Sequence, residues 1–519
     1  MVGEAAPDFQ RGLRRVRGGT TPSSPTGRAS PCLPRMALQI RAVELFVRNL
    51  RTRLPFRYGI VTMTRVPHLV VRLTLETGGR AQRGYAADNL PPKWFTKNPT
   101  STYADDLADM VEVIRHAGET ACALPAAQTV FALWRELYAA QSAWGRERKF
   151  PSLLAGFGTS LIERAMLDAF CRATGESFAH AARIGALGFK AGAIHGELDG
   201  AEPAGFFPPE PLRSVIVRHT VGLTDALTDG DIAPGERVED GLPQSLDGFV
   251  REHGLTHFKI KLGGDLETDR ARLRRIAVVL ANRVPRAAVT LDGNENFHAV
   301  APFRALWDEL RGDPVIARLL AGLIFVEQPL HRDVALSDAT AQELRAWRER
   351  PPIIIDESDA ELTSLPTALA CGYAGTSHKN CKGVFKSLAA AALIARRRRA
   401  QPSVELHHSA EDLTNIGPIA LPQDLAVLAT LGIPHAERNG HQYFAGLSQF
   451  PPAIQHAAQA AHADLYEPHP DGFPMPRIRA GRMEIDSVIA APFGLAFEPD
   501  LSAFTPLDAW SPASLDAAL

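Results

Sequence analysis

The chain has 519 residues, 45% of them hydrophobic and 22% charged, a globular composition with length for a large core and a second domain. A formal net charge of -2 argues against the basic face that nucleic-acid binding requires, so the expected partners are small molecules. The five cysteines (Cys32, Cys122, Cys171, Cys371 and Cys381) are odd in number and scattered without a C-x-x-C pair, which suits a reducing cytoplasm. No apolar run approaches the roughly 20 residues of a bilayer span, so no membrane partner is expected.

In chain order, residues 1–35 are rich in Arg, Gly, Ser and Pro and lack apolar periodicity, which predicts a disordered extension without the apolar stretch of a secretory signal. Residues 36–205 predict an α+β domain. It has β-rich stretches at 40–46 and 68–75, a joining loop at 55–64 placed to cover a site, and helical patterning over 103–182. After the Gly/Pro-rich stretch 196–211, residues 206–482 alternate short apolar runs with helical segments, the pattern of repeated βα units. Candidate strands lie at 214–219, 257–262, 287–292, 322–327, 352–356, 373–379, 403–408 and 431–436. Eight such strands fit an α/β fold of the (β/α)8 TIM-barrel type. An open doubly wound sheet loses support because no G-x-G-x-x-G or P-loop is present. The run Arg396 to Arg399 closes an alanine-rich helical stretch and reads as a solvated, dipole-complementing helix end.

Three of the strands end in acids: Leu291-Asp292, Val326-Glu327 and Ile355-Asp356. In a βα barrel the carboxyl ends of all strands converge on one face, so these acids would meet as a cluster of oxygen ligands. One acid alone would equally cap the helix after its strand; three in succession suit a divalent ion, magnesium or manganese rather than zinc. In the strand at 257–262, alternation places Lys259 and Lys261 on one side, facing the barrel interior. Burial and mutual repulsion are expected to lower a lysine pKa enough for one of them to act as a general base. Lys379 falls at the end of the sixth strand, on the opposite wall, with Lys382 an equal candidate for that place.

Together Lys259-Ile-Lys261, Asp292-Gly-Asn294, Glu327-Gln-Pro329, Asp356-Glu-Ser358 and Lys379 resemble the ordered signature of the enolase superfamily, in its muconate-lactonizing-enzyme-like branch. The resemblance implies a modified (β/α)8 barrel with an N-terminal α+β capping domain, and C-terminal strands over 483–519 that return to that cap. It also implies metal ligands Asp292, Glu327 and Asp356, with Asn294 and Glu357 orienting the site, and Lys261 and Lys379 as an acid/base pair with Lys259 beside them. Homo-oligomers are expected by the same analogy.

At the seventh strand the chain reads Glu405-Leu-His-His-Ser-Ala-Glu-Asp412, placing His407, His408, Glu411 and Asp412 near the mouth, with His407 and His408 ranked as substrate contacts or structural residues. Glu437 and Arg438 follow the eighth strand, where the family keeps specificity residues. The segments 56–64 and 91–97 carry aromatic and basic side chains suited to closing over an anionic ligand. The expected function is magnesium-dependent abstraction of the α-proton of a small carboxylate through an enediolate, as in a racemase or epimerase. The same lysines serve a dehydratase or cycloisomerase. A non-catalytic binding barrel and an aldolase-like Schiff-base barrel are the other readings.

Overall fold

The computed structural model describes residues 37–58 and 61–516; the extension expected to be disordered, with Cys32, lies outside the described residues. Three long antiparallel strands open the chain: β1 (Leu38–Tyr58), β2 (Val61–Thr77) and β3 (Arg80–Asn89). The loop expected at 55–64 is mostly strand, with Phe56 opposite Met63 and Arg57 opposite Thr62. Its aromatic and β-branched residues, including Phe56, Tyr58, Val61 and Thr62, suit a pleated surface, and this outweighs the loop reading.

Helices Tyr103–Ala123, Val130–Glu147 and Ser152–Thr174 pack beside this sheet. Thr102 opens the first with a capping box to Asp105, and the Thr129 side chain accepts from Ala132 N–H at the second. The third helix is buried on nearly all sides. It approaches β3 so closely that a Cβ at Gly84 would sit 2.2 Å from the carbonyl of Ala165, so only glycine fits there. The short strand Thr505–Pro506 near the end of the chain pairs with Val47 and Phe46 of β1.

Eight parallel strands then curl into the barrel: β4 (Ser214–Val221), β5 (His257–Lys261), β6 (Ala288–Asp292), β7 (Leu323–Glu327), β8 (Ile353–Ile355), β9 (Gly375–His378), β10 (His407–Ala410) and β11 (His435–Glu437). The ladders run in the order β10-β9-β8-β7-β6-β5-β4-β11, and the antiparallel strand Arg482–Glu484 also pairs with β4. Phe258 and Ile260 of β5 are fully buried on the side facing the helices, each contributing about 1.5–3 kcal/mol by burial. That alternation turns Lys259 and Lys261 inward.

Six strands begin within two residues of their expected starts; the seventh and eighth each begin four residues later than expected. The apolar signal at 403–408 is misleading, since Val404 is 45% exposed, and the ladder instead pairs His407–Ala410 with Gly375–His378. A Cβ at Gly375 would lie 1.8 Å from the carbonyl of His407, so a glycine on β9 permits this approach. Among the described residues, no helix is long and apolar enough to cross a membrane.

Candidate functional site

Strand register assembles the floor of the site. Lys261 lies opposite Asp292, and Asp292 opposite Glu327, so the ends of β5, β6 and β7 bring an ammonium and two carboxylates side by side. Lys261 Nζ donates to Asp292 Oδ2 at 2.6 Å. Asn294, in the left-handed region at φ 44°, donates its N–H to Asp292 Oδ1 at 2.9 Å and its side-chain amide to Oδ2 at 3.2 Å. Lys259 Nζ sits at the centre, 3.0 Å from Asp292 Oδ2, 3.0 Å from Glu327 Oε1, 2.7 Å from Glu411 Oε2 and 2.9 Å from Glu437 Oε2.

The far wall mirrors this arrangement. Lys379 Nζ donates to Asp356 Oδ2 at 2.6 Å, lies 3.0 Å from Glu411 Oε2, and stands over the Trp94 ring at 4.6 Å. Both lysines weighed for this place meet Asp356, since Lys382 Nζ is 2.7 Å from its Oδ1 and donates to the carbonyls of Asp356 and Ser377. Gln328, at φ 33°, ties β7 to β8: its Oε1 accepts from the N–H groups of Asp356 and Ser358, and its amide donates to Leu330 and Ser358. Those four bonds hold a strained backbone that shapes the ligand-bearing turn.

The lysines depart from the expected pKa shift. Burial alone would lower Lys259, Lys261 and Lys379, but Asp292, Glu327, Asp356 and Glu411 outweigh it and hold all three above the usual range. Repulsion between lysines is real yet smaller than these pairings. Burial would raise Asp356, and the ammoniums of Lys379 and Lys382 overcome it and keep the carboxylate low. Glu327 is pushed well up by burial and by the neighbouring Glu411. Glu357 is pushed up to about 8 by burial and by the charges of Asp356 and Glu295.

The seventh and eighth strands divide the remaining candidates. Glu411, just past β10, is 1% exposed; Arg218 donates to its Oε1 at 3.1 Å, and its own N–H donates to the carbonyl of His378. Glu437 accepts from the Thr220 hydroxyl and from Asn439. Asp412 pairs with Arg438 at 2.6 Å and reaches the cavity wall. His407 and His408 are not brought to the mouth: His407 starts its strand beside Phe325 and Glu405, and His408 lies near His378.

A cavity opens above this floor, lined by Lys259, Lys261, Asp292, Asp356, Glu357, Lys379, Glu411 and Glu437. Its outer wall is apolar, formed by Phe56, Tyr58, Met63, Trp94 and Leu413. The basic residues of segment 91–97 are spent within the protein: Lys93 on Ser101 and Asp106, Lys97 on the carbonyl of Asn294 and on Glu295. Sequence reading missed Glu295 and Arg332. Arg332 grips the Glu295 carboxylate at 2.7 and 2.8 Å and donates to the carbonyls of Phe95 and Trp94, fastening the loop to the barrel. A positive φ of 62° at Glu295 and the following Glu-Gln-Pro turn carry no sequence signal of that partner.

The donor set fits a divalent cation. Glu327, Asp356 and Glu411 each offer one carboxylate oxygen, and these atoms lie within 4.8 Å of one another. Glu327 Oε2 is buried and accepts no hydrogen bond, while Asp356 Oδ1 and Glu411 Oε2 face the ammoniums of Lys382 and Lys259 at 2.7 Å.

No family model and no curated protein matches the chain. Its fold is that of mandelate racemase/muconate lactonizing enzyme structures. The muconate lactonizing enzyme from Pseudomonas fluorescens complexed with muconolactone is similar at TM-score 0.57 and 16% identity, over 90% of this chain and 99% of that one. A mandelate racemase/muconate lactonizing protein from Herpetosiphon aurantiacus gives 0.55 and 17%, over 89% and 98%. The dipeptide epimerase from Cytophaga hutchinsonii, complexed with Mg and dipeptide D-Ala-L-Val, gives 0.51 and 15%, over 79% and 89%.

Proposed function

We propose that this chain is a magnesium-dependent enzyme that moves the α-proton of a small carboxylate substrate, working as a racemase or epimerase. The observation that carries this reading is the pair Lys261 and Lys379. They come from the second and sixth of eight barrel strands, line one cavity, and are each held by an aspartate at 2.6 Å. A substrate α-carbon between them has a lysine nitrogen on either face. The lysine in its neutral amine form takes the α-proton, leaving an enediolate, and the other, as an ammonium, gives a proton to the opposite face. A bound divalent ion at the acid cluster would supply positive charge for the substrate carboxylate. Lys259 adds a fixed charge beside it, while Trp94, Phe56 and Tyr58 restrict water at the open side. The magnesium and dipeptide of the Cytophaga epimerase agree with this chemistry.

Elimination or cycloisomerisation is the second reading, favoured by the unequal hold on the lysines. Lys379 touches two carboxylates and an aromatic face, whereas Lys261 is paired to Asp292, so Lys379 suits a role of charge stabilisation with Lys261 as the base. The muconolactone-bound Pseudomonas enzyme belongs to that chemical class.

Proton NMR of α-proton exchange in deuterated water with magnesium, over dipeptides, N-acyl amino acids, hydroxy acids and sugar acids, tests both. Exchange from either stereoisomer that becomes one-sided in Lys261→Ala and in Lys379→Ala identifies the racemase. Loss in Lys261→Ala with product formation but no inversion in wild type identifies the second reading. Exchange that survives both substitutions ends the proposal.

A further inference from the structure

We infer that the substrate is a carboxylate whose side chain is uncharged and apolar, an aryl or alkyl group, and that Phe56, Met63 and Leu413 read it together with the Trp94 ring. The inference rests on the proton-transfer reading above and adds the class of substrate. Phe56 and Met63 lie opposite one another across β1 and β2, both buried, and both line the cavity. Strand alternation sends Arg57, between Phe56 and Tyr58, outward to the Thr224 hydroxyl. Tyr58 donates its hydroxyl to the carbonyl of Pro92 at 2.8 Å, so its ring, not its polar end, is left for a ligand. The wall is also preformed. Arg53 donates to Asp240 at 2.5 and 2.7 Å and to the carbonyls of Leu242, Pro243 and Gln442, and the Phe56 ring stacks on Tyr443 at 4.2 Å, which pins the hairpin to the barrel.

Charge on the cap side excludes the alternatives. Among the described residues that line the cavity above the lysines and the strand-end acids, every charged side chain already has a partner: Lys93 has Asp106, Lys97 and Arg332 share Glu295, and Asp412 has Arg438. Lys97 and Arg332 direct further donors to the carbonyls of Asn294, Phe95 and Trp94, and Arg438 also meets Asp424 at 3.1 Å. A second carboxylate or a phosphate on the substrate would find no unengaged cation there, and an ammonium no unengaged anion. Either group would lose its water against rings and a thioether without a partner in return, whereas an aryl or alkyl group gains by burial.

Calorimetry of binding and proton NMR of α-proton exchange, both with magnesium present, test this on a matched set of N-acetyl amino acids: phenylalanine, leucine, alanine, aspartate and lysine. The phenylalanine and leucine members are expected to bind and exchange at least ~100-fold better than the aspartate and lysine members. Phe56→Ala and Met63→Ala, each checked for its fold by circular dichroism, should narrow the advantage of the phenylalanine member over the alanine member by about 10-fold. Equal or better handling of the aspartate or lysine member overturns the substrate class while leaving proton transfer in place. Apolar preference in binding without exchange from any member supports the subsite and tells against the proton-transfer reading instead. No binding of any member overturns the inference, and proton transfer is then judged on the wider panel above.

Discussion

Buried charge is handled in two ways in this molecule. On the helix Ser152–Thr174 each ionised group has its own partner: Arg164 pairs with Asp88 at 2.9 Å, Asp168 with Arg172 at 2.8 Å, and Glu163 accepts the N–H groups of Val384 and Phe385. At the barrel mouth the pairing is many-to-one, with a single lysine, Lys259, among four carboxylates and with Glu327 Oε2 and Glu357 Oε2 left without hydrogen bonds. One-to-one pairing fixes a scaffold. Unequal pairing leaves capacity for a cation and a substrate, and the two regions should respond differently to substitution.

The largest expected effect is on activity at the mouth. Lys261→Ala and Lys379→Ala should each lower α-proton exchange by about 10²–10⁴-fold, the usual contribution of a positioned acid or base. Their far-ultraviolet dichroism should match wild type, since Asp292 retains Lys259 and Asn294, and Asp356 retains Lys382. Collapse of the fold in these variants would show that the mouth is scaffold after all.

The scaffold should behave in reverse. Arg164→Met leaves Asp88 buried without its cation and removes bonds to the carbonyls of Ala87 and Ser160, so unfolding in urea should show a loss of about 3–5 kcal/mol. Any exchange activity of the surviving folded fraction should be close to wild type. A change below about 1 kcal/mol would mean that the pair contributes little.

Next in size is the metal. Magnesium at 100 times its dissociation constant should stabilise wild type by about 2.7 kcal/mol, seen as a rise in melting temperature that EDTA reverses. Glu327→Gln should abolish the rise while Arg164→Met keeps it, which separates the two regions by a single additive. Equal responses in both variants would remove the distinction.

Much of the mouth was legible because its chemistry falls at strand ends. Asp292, Glu327 and Asp356 close apolar runs, and β5 alternates so that Lys259 and Lys261 must share a side. The seventh strand was misplaced because its apolar flank, Val404 and Leu406, precedes a polar strand whose partner is a glycine of β9. Arg332, Glu295, Lys97 and Trp94 were hidden for another reason: their contacts join positions far apart in the chain, and periodicity carries no record of such pairs. The direction of the lysine pKa shifts was lost in the same way, since it depends on how many carboxylates converge in space.

An effect of similar size to the metal's is also the most discriminating for the scaffold. Glu163 is fully buried, and burial pushes its pKa from 4.5 up to about 7, against the two backbone N–H groups that favour its charged form. Between those two pH values the folded protein holds a proton that the unfolded chain has released, so stability falls as pH rises from about 4.5 through about 7. The full effect should be on the order of 3 kcal/mol. Glutamine has no proton to lose and keeps one of the two oxygens that accept from Val384 and Phe385, so the urea-unfolding stability of Glu163→Gln should change less than that of wild type between pH 4.5 and pH 8. Parallel pH profiles for the two proteins would mean that the pair of backbone donors already holds Glu163 charged, and that one-to-one pairing on this helix is tighter than burial suggests.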